Sequence, residues 1–223
     1  VLRDATMGPY VTLAWLDISN CQVSALGAGW LGEVLGNNRS LRTLKLSWND
    51  IGAKGCRLVA EGLQTNSALN MLDMSWCGIG DGGGAEIATM LLTNCGLTKL
   101  DLTGNGLGDL AALELGRALA DSNKTLQHLL LHNNPIGWQG ARKLLRATLA
   151  ESIQSIELCG CHLLHRPGGA SEFDPRFPWG EYHLNLAIPA DRAVAFQLAE
   201  VTATDALSSP QWVDAALDGQ PFQ

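Results

Sequence analysis

The chain has 223 residues, 46% of them hydrophobic, enough to bury a sizeable core, and no apolar run approaches the ~20 residues of a membrane span, so a soluble protein without membrane contact is expected. Its formal charge of −7 is unevenly placed: residues 1–163 hold 12 Lys/Arg against 14 Asp/Glu, leaving −2, and residues 164–223 hold 3 against 8, leaving −5. Neither part offers the basic patch that a phosphate backbone requires, which excludes nucleic acid as the expected partner.

Residues 1–10, VLRDATMGPY, form an N-terminal flank too short for a full cap, and further repeats or another domain are expected before it in the native protein. From Leu13 a frame recurs. Leu13, Leu41, Leu69, Leu97, Leu126 and Ile153 each open one copy, at spacings of 28, 28, 28, 29 and 27 residues. A unit this small cannot bury its apolar face alone and must stack on copies of itself. Leu44 with Leu46, Leu72 with Met74, Leu100 with Leu102 and Leu129 with Leu131 stand two apart, so each pair faces the core from a strand.

Cys21, Asn49, Cys77, Asn105, Asn134 and Cys161 follow, turned inward to satisfy backbone groups in the bend. Gly52, Gly80, Gly108 and Gly137 mark the turn into helices such as Cys56–Leu63 and Ala111–Leu119, whose apolar spacing is one-sided. Asn38, Asn66, Asn94 and Asn123 recur at the helix ends, where left-handed caps are expected. Strand, turn, helix and return to a parallel strand make a right-handed coil. The fold class is therefore α/β, with a concave parallel sheet and convex helices over residues 11–163, six strand-turn frames with the last truncated.

After Leu163 the period stops. Residues 164–180 are dense in Pro and Gly and read as a linker, whereas 181–223 carry a strand pattern (EYHLNLAI) and a helix pattern (DRAVAFQLAEVTATDAL) and form either a cap on the last layer or the start of another domain.

Positions three, five, seven and eight of the frame face away from the core. They present Trp15, Lys99 and His128 at position three, Asp17, Lys45, Asp73, Asp101 and Glu157 at five, and Ser75, Thr103, His132 and Cys159 at seven. Position eight gives Asn20, Trp48, Trp76, Gly104, Asn133 and Gly160. Trp48 and Trp76 are equivalent in adjacent copies, so their rings should lie close together. Two readings stand: exposed anchors beside carboxylates suited to a protein interface, or rings packed on each other and on loop backbone. Trp15, Trp48, Trp76, Asp17, Lys45, Asp73, Asp101, His128 and His132 are the candidate partner-binding residues.

Candidate chemistry is thin. Gly78-Ile79-Gly80-Asp81-Gly82-Gly83 fits the dinucleotide-binding pattern G-x-G-x-x-G, with Asp101 beyond it, but Gly80 and Gly83 repeat Gly52 and Gly55, so the frame explains them. His132, Cys159 and Glu157 outline a metal site. His128 stands four residues away, roughly 13 Å along a strand, so the two histidines cannot share an ion, and zinc wants four converging ligands. No catalytic residue, metal or cofactor is expected, and the six cysteines, half of them in a framework position, suit a reducing, cytoplasmic compartment.

The frame L-x-x-L-x-L-x-x-N/C-x-L/I-G resembles the leucine-rich repeat signature, and its length resembles the ribonuclease-inhibitor-like class. That resemblance implies a horseshoe that binds other proteins within a larger complex, with a C-terminal capping segment. It also admits an enzyme regulator, of the GTPase-activating or inhibitor type, or the sensor segment of an NLR-like receptor. FDPRFPWGEYHLNLAIPADRAVAFQLAEV, residues 173–201, is similar to segments that follow leucine-rich repeats in ciliary and flagellar proteins. This likeness implies an axonemal scaffold located in a cilium or flagellum.

Overall fold

The computed structural model describes residues 13–147, 152–158 and 161. Strands and helices alternate: β1 (Trp15–Asp17), α1 (Ala25–Asn37), β2 (Thr43–Lys45), α2 (Gly52–Gln64), β3 (Met71–Asp73), α3 (Gly80–Leu91), β4 (Lys99–Asp101), α4 (Asp109–Asp121), β5 (His128–Leu130), α5 (Trp138–Ala147) and β6 (Ser155–Glu157). The strands lie in chain order in one parallel sheet. Their register joins residues of equal frame position, running Trp15, Thr43, Met71, Lys99, His128, Ser155 across the sheet. Each helix packs on the next. The expected leucine-rich repeat solenoid is the fold. The expected linker, the C-terminal segment read as a cap or the start of another domain, and the N-terminal flank lie outside the described residues.

Burial follows the frame. Leu44, Leu46, Leu72, Met74, Leu100, Leu102, Leu129 and Leu131 are fully buried, whereas Leu16, Ile18 and Val23, in the first layer, are only half-buried. No described layer precedes β1 to cover them.

Polar side chains organise the bends. Asn105 Oδ1 accepts the Cys77 amide (2.9 Å) while its Nδ2 donates to the Met74 carbonyl (2.8 Å). Asn49 and Asn134 do the same in their copies. Cysteine fills only the donor half of this role, with the thiols of Cys77 and Cys161 donating to the Leu46 and Leu131 carbonyls (3.2 and 3.3 Å). Burial pushes the Cys77 thiol up to about 11 and the Cys56 thiol, on α2, up to about 12. Cys21, in the first copy, is exposed.

The asparagines at the helix ends correct an expectation. Asn38 has φ −79°, and among the described residues the left-handed ones other than glycine are Asn20, Gln22, Trp48, Trp76 and Asn133, so the helix-end asparagines are not left-handed caps. They form a second ladder instead. Asn66 Nδ2 donates to Leu35 and Asn38 carbonyls of the preceding copy (2.6 and 2.9 Å), and its Oδ1 accepts the Ala68 and Leu69 amides (both 2.8 Å). Asn94 and Asn123 repeat the pattern. Backbone groups of two adjacent copies are thus satisfied by one side chain, which is why these residues can be almost fully buried.

Two carboxylates join neighbouring copies. Asp81 Oδ1 accepts the Gly108 and Ala111 amides (2.7 and 3.1 Å), at the start of the next helix, and Asp109 does so for Gly137 and Gly140 (2.8 and 2.9 Å). A carboxylate there caps the positive end of a helix it does not belong to. Elsewhere the helices approach backbone to backbone: a Cβ on Gly62 would run into the Gly32 carbonyl. The glycine run at residues 78–83 is also framework. Gly80 is left-handed at φ 59°, its amide donates to the Asn105 carbonyl (2.9 Å), and Gly83 sits against Ile79 and Cys56.

Candidate interaction site

Position eight lies just past each strand, where the backbone must turn left-handed toward the helix. All its described members do so, with φ of 52° at Asn20, 59° at Trp48, 55° at Trp76, 66° at Gly104 and 53° at Asn133. Asn and Gly tolerate that conformation; a bulky side chain there is an outlier that costs roughly 1–2 kcal/mol. Trp48 and Trp76 occupy the column nonetheless. The backbone that carries each ring is fixed, because the Trp48 amide donates to the Ser75 carbonyl (3.0 Å) and the Trp76 amide to the Thr103 carbonyl (2.8 Å), continuing the sheet's pairing past its strands.

The indoles stack. Their centroids are 4.9 Å apart and their planes 11° from parallel, a separation close to the ~4.8 Å between neighbouring strands. Trp76 in turn lies over Gly104, where a Cβ would run into its ring. The packing reading holds, and it does not exhaust the pair. The rings pack on each other and on loop backbone, and they still remain 60% exposed at Trp48 and 40% at Trp76.

The other candidate residues divide into separate groups. Trp15 is 55% exposed but stands at position three beside Thr43, at the opposite end of the strands from the stack. Asp17, Asp73 and Asp101 each accept the amide two residues on, from Ser19, Ser75 and Thr103 (3.0, 2.9 and 2.9 Å), so one oxygen of each is framework. The Ser19 hydroxyl, then its amide, hold the Asp17 carboxyl below its ordinary range against an opposing desolvation, with Lys45 adding a lesser pull. Lys45 lies in register between Asp17 and Asp73.

The two histidines go to different partners. His128 Nδ1 pairs with Ser155 Oγ and His132 Nε2 with Glu157 Oε2, both at 2.8 Å. Ser155 is buried, not exposed on the groove as its position suggests. Among the described residues no cluster of three or more His, Cys, Asp or Glu could hold a metal ion, and Cys159 lies outside them.

A further surface escaped the sequence reading. Helices α1 and α2 enclose a shallow groove of about 590 Å³ lined by Leu26, Gly29, Trp30, Glu33, Leu58 and Gly62. The signal for it was present: Gly29, Gly32 and Gly36 thin one side of α1, and Trp30 stands among them. The left-handed strain at position eight was also legible, since Asn, Gly and Asn fill the column around the two tryptophans.

Three successive segments, residues 37–60, 65–88 and 93–116, match the family model described as Leucine Rich repeat. Among solved structures, "Leiomodin-1 Actin-Binding Site 2 (ABS2)" is similar at a TM-score of 0.51 and 15% identity, over 98% of this chain and 95% of that one. The tropomodulin C-terminal domain of Caenorhabditis elegans is similar at 0.55 and 16%, over 67% of this chain and 87% of that one. At such identities the likeness is one of fold. No curated protein matches the sequence.

Proposed function

We infer that this leucine-rich repeat solenoid is a non-catalytic protein-interaction scaffold and that the Trp48–Trp76 stack is its anchor. One observation carries the reading: two large rings occupy a column whose backbone favours Asn or Gly, and they remain exposed instead of filling the core. The stack returns only part of that backbone cost, since both rings stay largely in solvent, and residues that break a local rule in this way point to function. Exposed tryptophan is also among the residue types most enriched at interface hot spots. Trp15, Lys45, Asp73, Asp101, His128 and His132 line the same sheet and extend the surface.

The leiomodin segment is titled an actin-binding site, but a likeness at 15% identity transfers the shape and not the partner. The setting we propose is a ciliary or flagellar assembly inside the cell, supported by the likeness of residues 173–201 to the tails of such proteins. Localising the tagged chain tests the setting, and a diffuse cytosolic signal would remove it. The anchor is tested by replacing both rings with asparagine, which suits the left-handed backbone. Proteins that co-purify with the wild-type chain should be lost from the Trp48→Asn, Trp76→Asn chain; their retention at equal yield, with the variant folded, sinks the anchor.

A further inference from the structure

We propose that the outer face of the Trp48 indole receives an arginine guanidinium from a basic segment of the partner protein; this rests on the anchor reading above. Position eight carries rings on two adjacent rungs, Trp48 and Trp76, and none on the rung before them. Its order across the sheet is Asn20, Trp48, Trp76, Gly104, with Trp76 seated on Gly104 and Trp48 on Trp76. The stack is therefore closed on the Gly104 side. On the other side stands Asn20, a short exposed side chain on the same left-handed backbone, its amide pinned to the Ser47 carbonyl at 2.8 Å. That leaves an aromatic face with about one strand spacing of room beside it, the thickness of a further planar group. The greater exposure of Trp48 than of Trp76 reflects this open face.

Charge selects among planar groups. Asp17 stands at position five of the first copy, exposed Asp50 follows Trp48 by two residues, and residues 13–38 contain no Lys or Arg. Against Asp17 and Asp50 stands Lys45, in register with Asp17, so the surroundings of the rung remain acidic. Asp17 has one oxygen engaged by the Ser19 amide. A neutral aromatic group would fill the rung but would not meet the charge of Asp17 and Asp50. A lysine ammonium would meet the charge but has no plane to stack. Guanidinium is planar, permanently charged, weakly hydrated and forked to meet carboxylates, and it sits readily on an indole face.

The test is a nuclear magnetic resonance titration of the full chain with three short peptides, identical except for arginine, citrulline or lysine at one position. The Trp48 indole N–H signal is identified by its loss in Trp48→Asn. The arginine peptide should move that signal, and citrulline, which keeps the shape but not the charge, should bind about fivefold more weakly. Equal binding by citrulline or lysine, or no movement of the Trp48 signal with arginine, overturns the proposal. Because the titration uses wild-type protein, it stands apart from the partner-loss experiment. Partner loss with the double asparagine variant alongside an indifferent titration would keep the anchor and refute its arginine occupant.

Discussion

Positions eight and nine of each copy are neighbours in sequence and opposites in character. Asn49 is buried and joins two copies through its amide group, and Trp48, one residue earlier, is exposed on a backbone conformation that disfavours it. Asn105 and Gly104 show the same loop with both positions satisfied. The difference separates two kinds of regularity. A residue repeated because the fold needs it leaves no local rule broken, whereas Trp48 and Trp76 repeat against the local rule.

The largest expected effect falls on the buried ladders. Asn66→Ala strands two carbonyls and two amides, so it should lower the unfolding free energy by about 3 kcal/mol or more. Urea denaturation followed by circular dichroism measures it, and a loss under about 1 kcal/mol would mean that water replaces the ladder. Gly104→Ala acts on the seam between the two positions. It places a Cβ against the Trp76 ring at φ 66°, and should cost about 2 kcal/mol while altering the near-ultraviolet signal of the tryptophan pair. An unchanged signal would show that Trp76 does not rest on the Gly104 backbone.

The thiols supply a pH-dependent version of the same contrast. Burial raises the Cys56 and Cys77 thiols above the ordinary 9.0, to about 12 and about 11. The unfolded chain ionises first, so their contribution is complete below pH 9 and declines as pH rises from there toward the folded values. Stability should therefore fall on the alkaline side, less so in Cys77→Asn, where an asparagine replaces the titrating rung. Equal alkaline losses in both chains would rule out Cys77. The smallest effect is expected where function is proposed: Trp48→Asn relieves an unfavourable backbone and forfeits a stacking contact, so stability should stay within about 1 kcal/mol of wild type. A larger loss would move the tryptophans from the surface of the fold into its framework.

Much of this is legible in the chain. The 28-residue period locates the strands, the leucines of the core and the inward Asn and Cys of every copy but the first, where Cys21 is exposed instead of inward, because each depends mostly on position within one copy. The second asparagine ladder reads instead as a set of helix caps. Asn66 has the residue type and place of a cap, and what distinguishes the two is a carbonyl 31 residues earlier. The Asp81 and Asp109 contacts reach 27 to 31 residues onward and carry no local signature. Ser155 shows the same limit, since its column predicts exposure, whereas the side chain is buried and paired with His128. Among the candidate site residues, the sequence identifies the stacked pair but groups it with Trp15, which stands at the far end of the strands.

The carboxylate contacts between copies also bear on how the array comes apart. Asp81 fastens α3 to the start of α4, and Asp109 fastens α4 to α5, but Ala25 and Ala53 occupy the corresponding places in α1 and α2. In a stacked array, where stability is a sum of neighbour terms, copies so clasped should open together and exchange their amide protons as one block. The tryptophans sit at the edge of that block, in the loops that lead into α2 and α3, where the clasp has not begun. With the anchor proposed at Trp48 and Trp76, the end that would meet a partner is the one that opens first, and the clasped copies behind it would hold its shape.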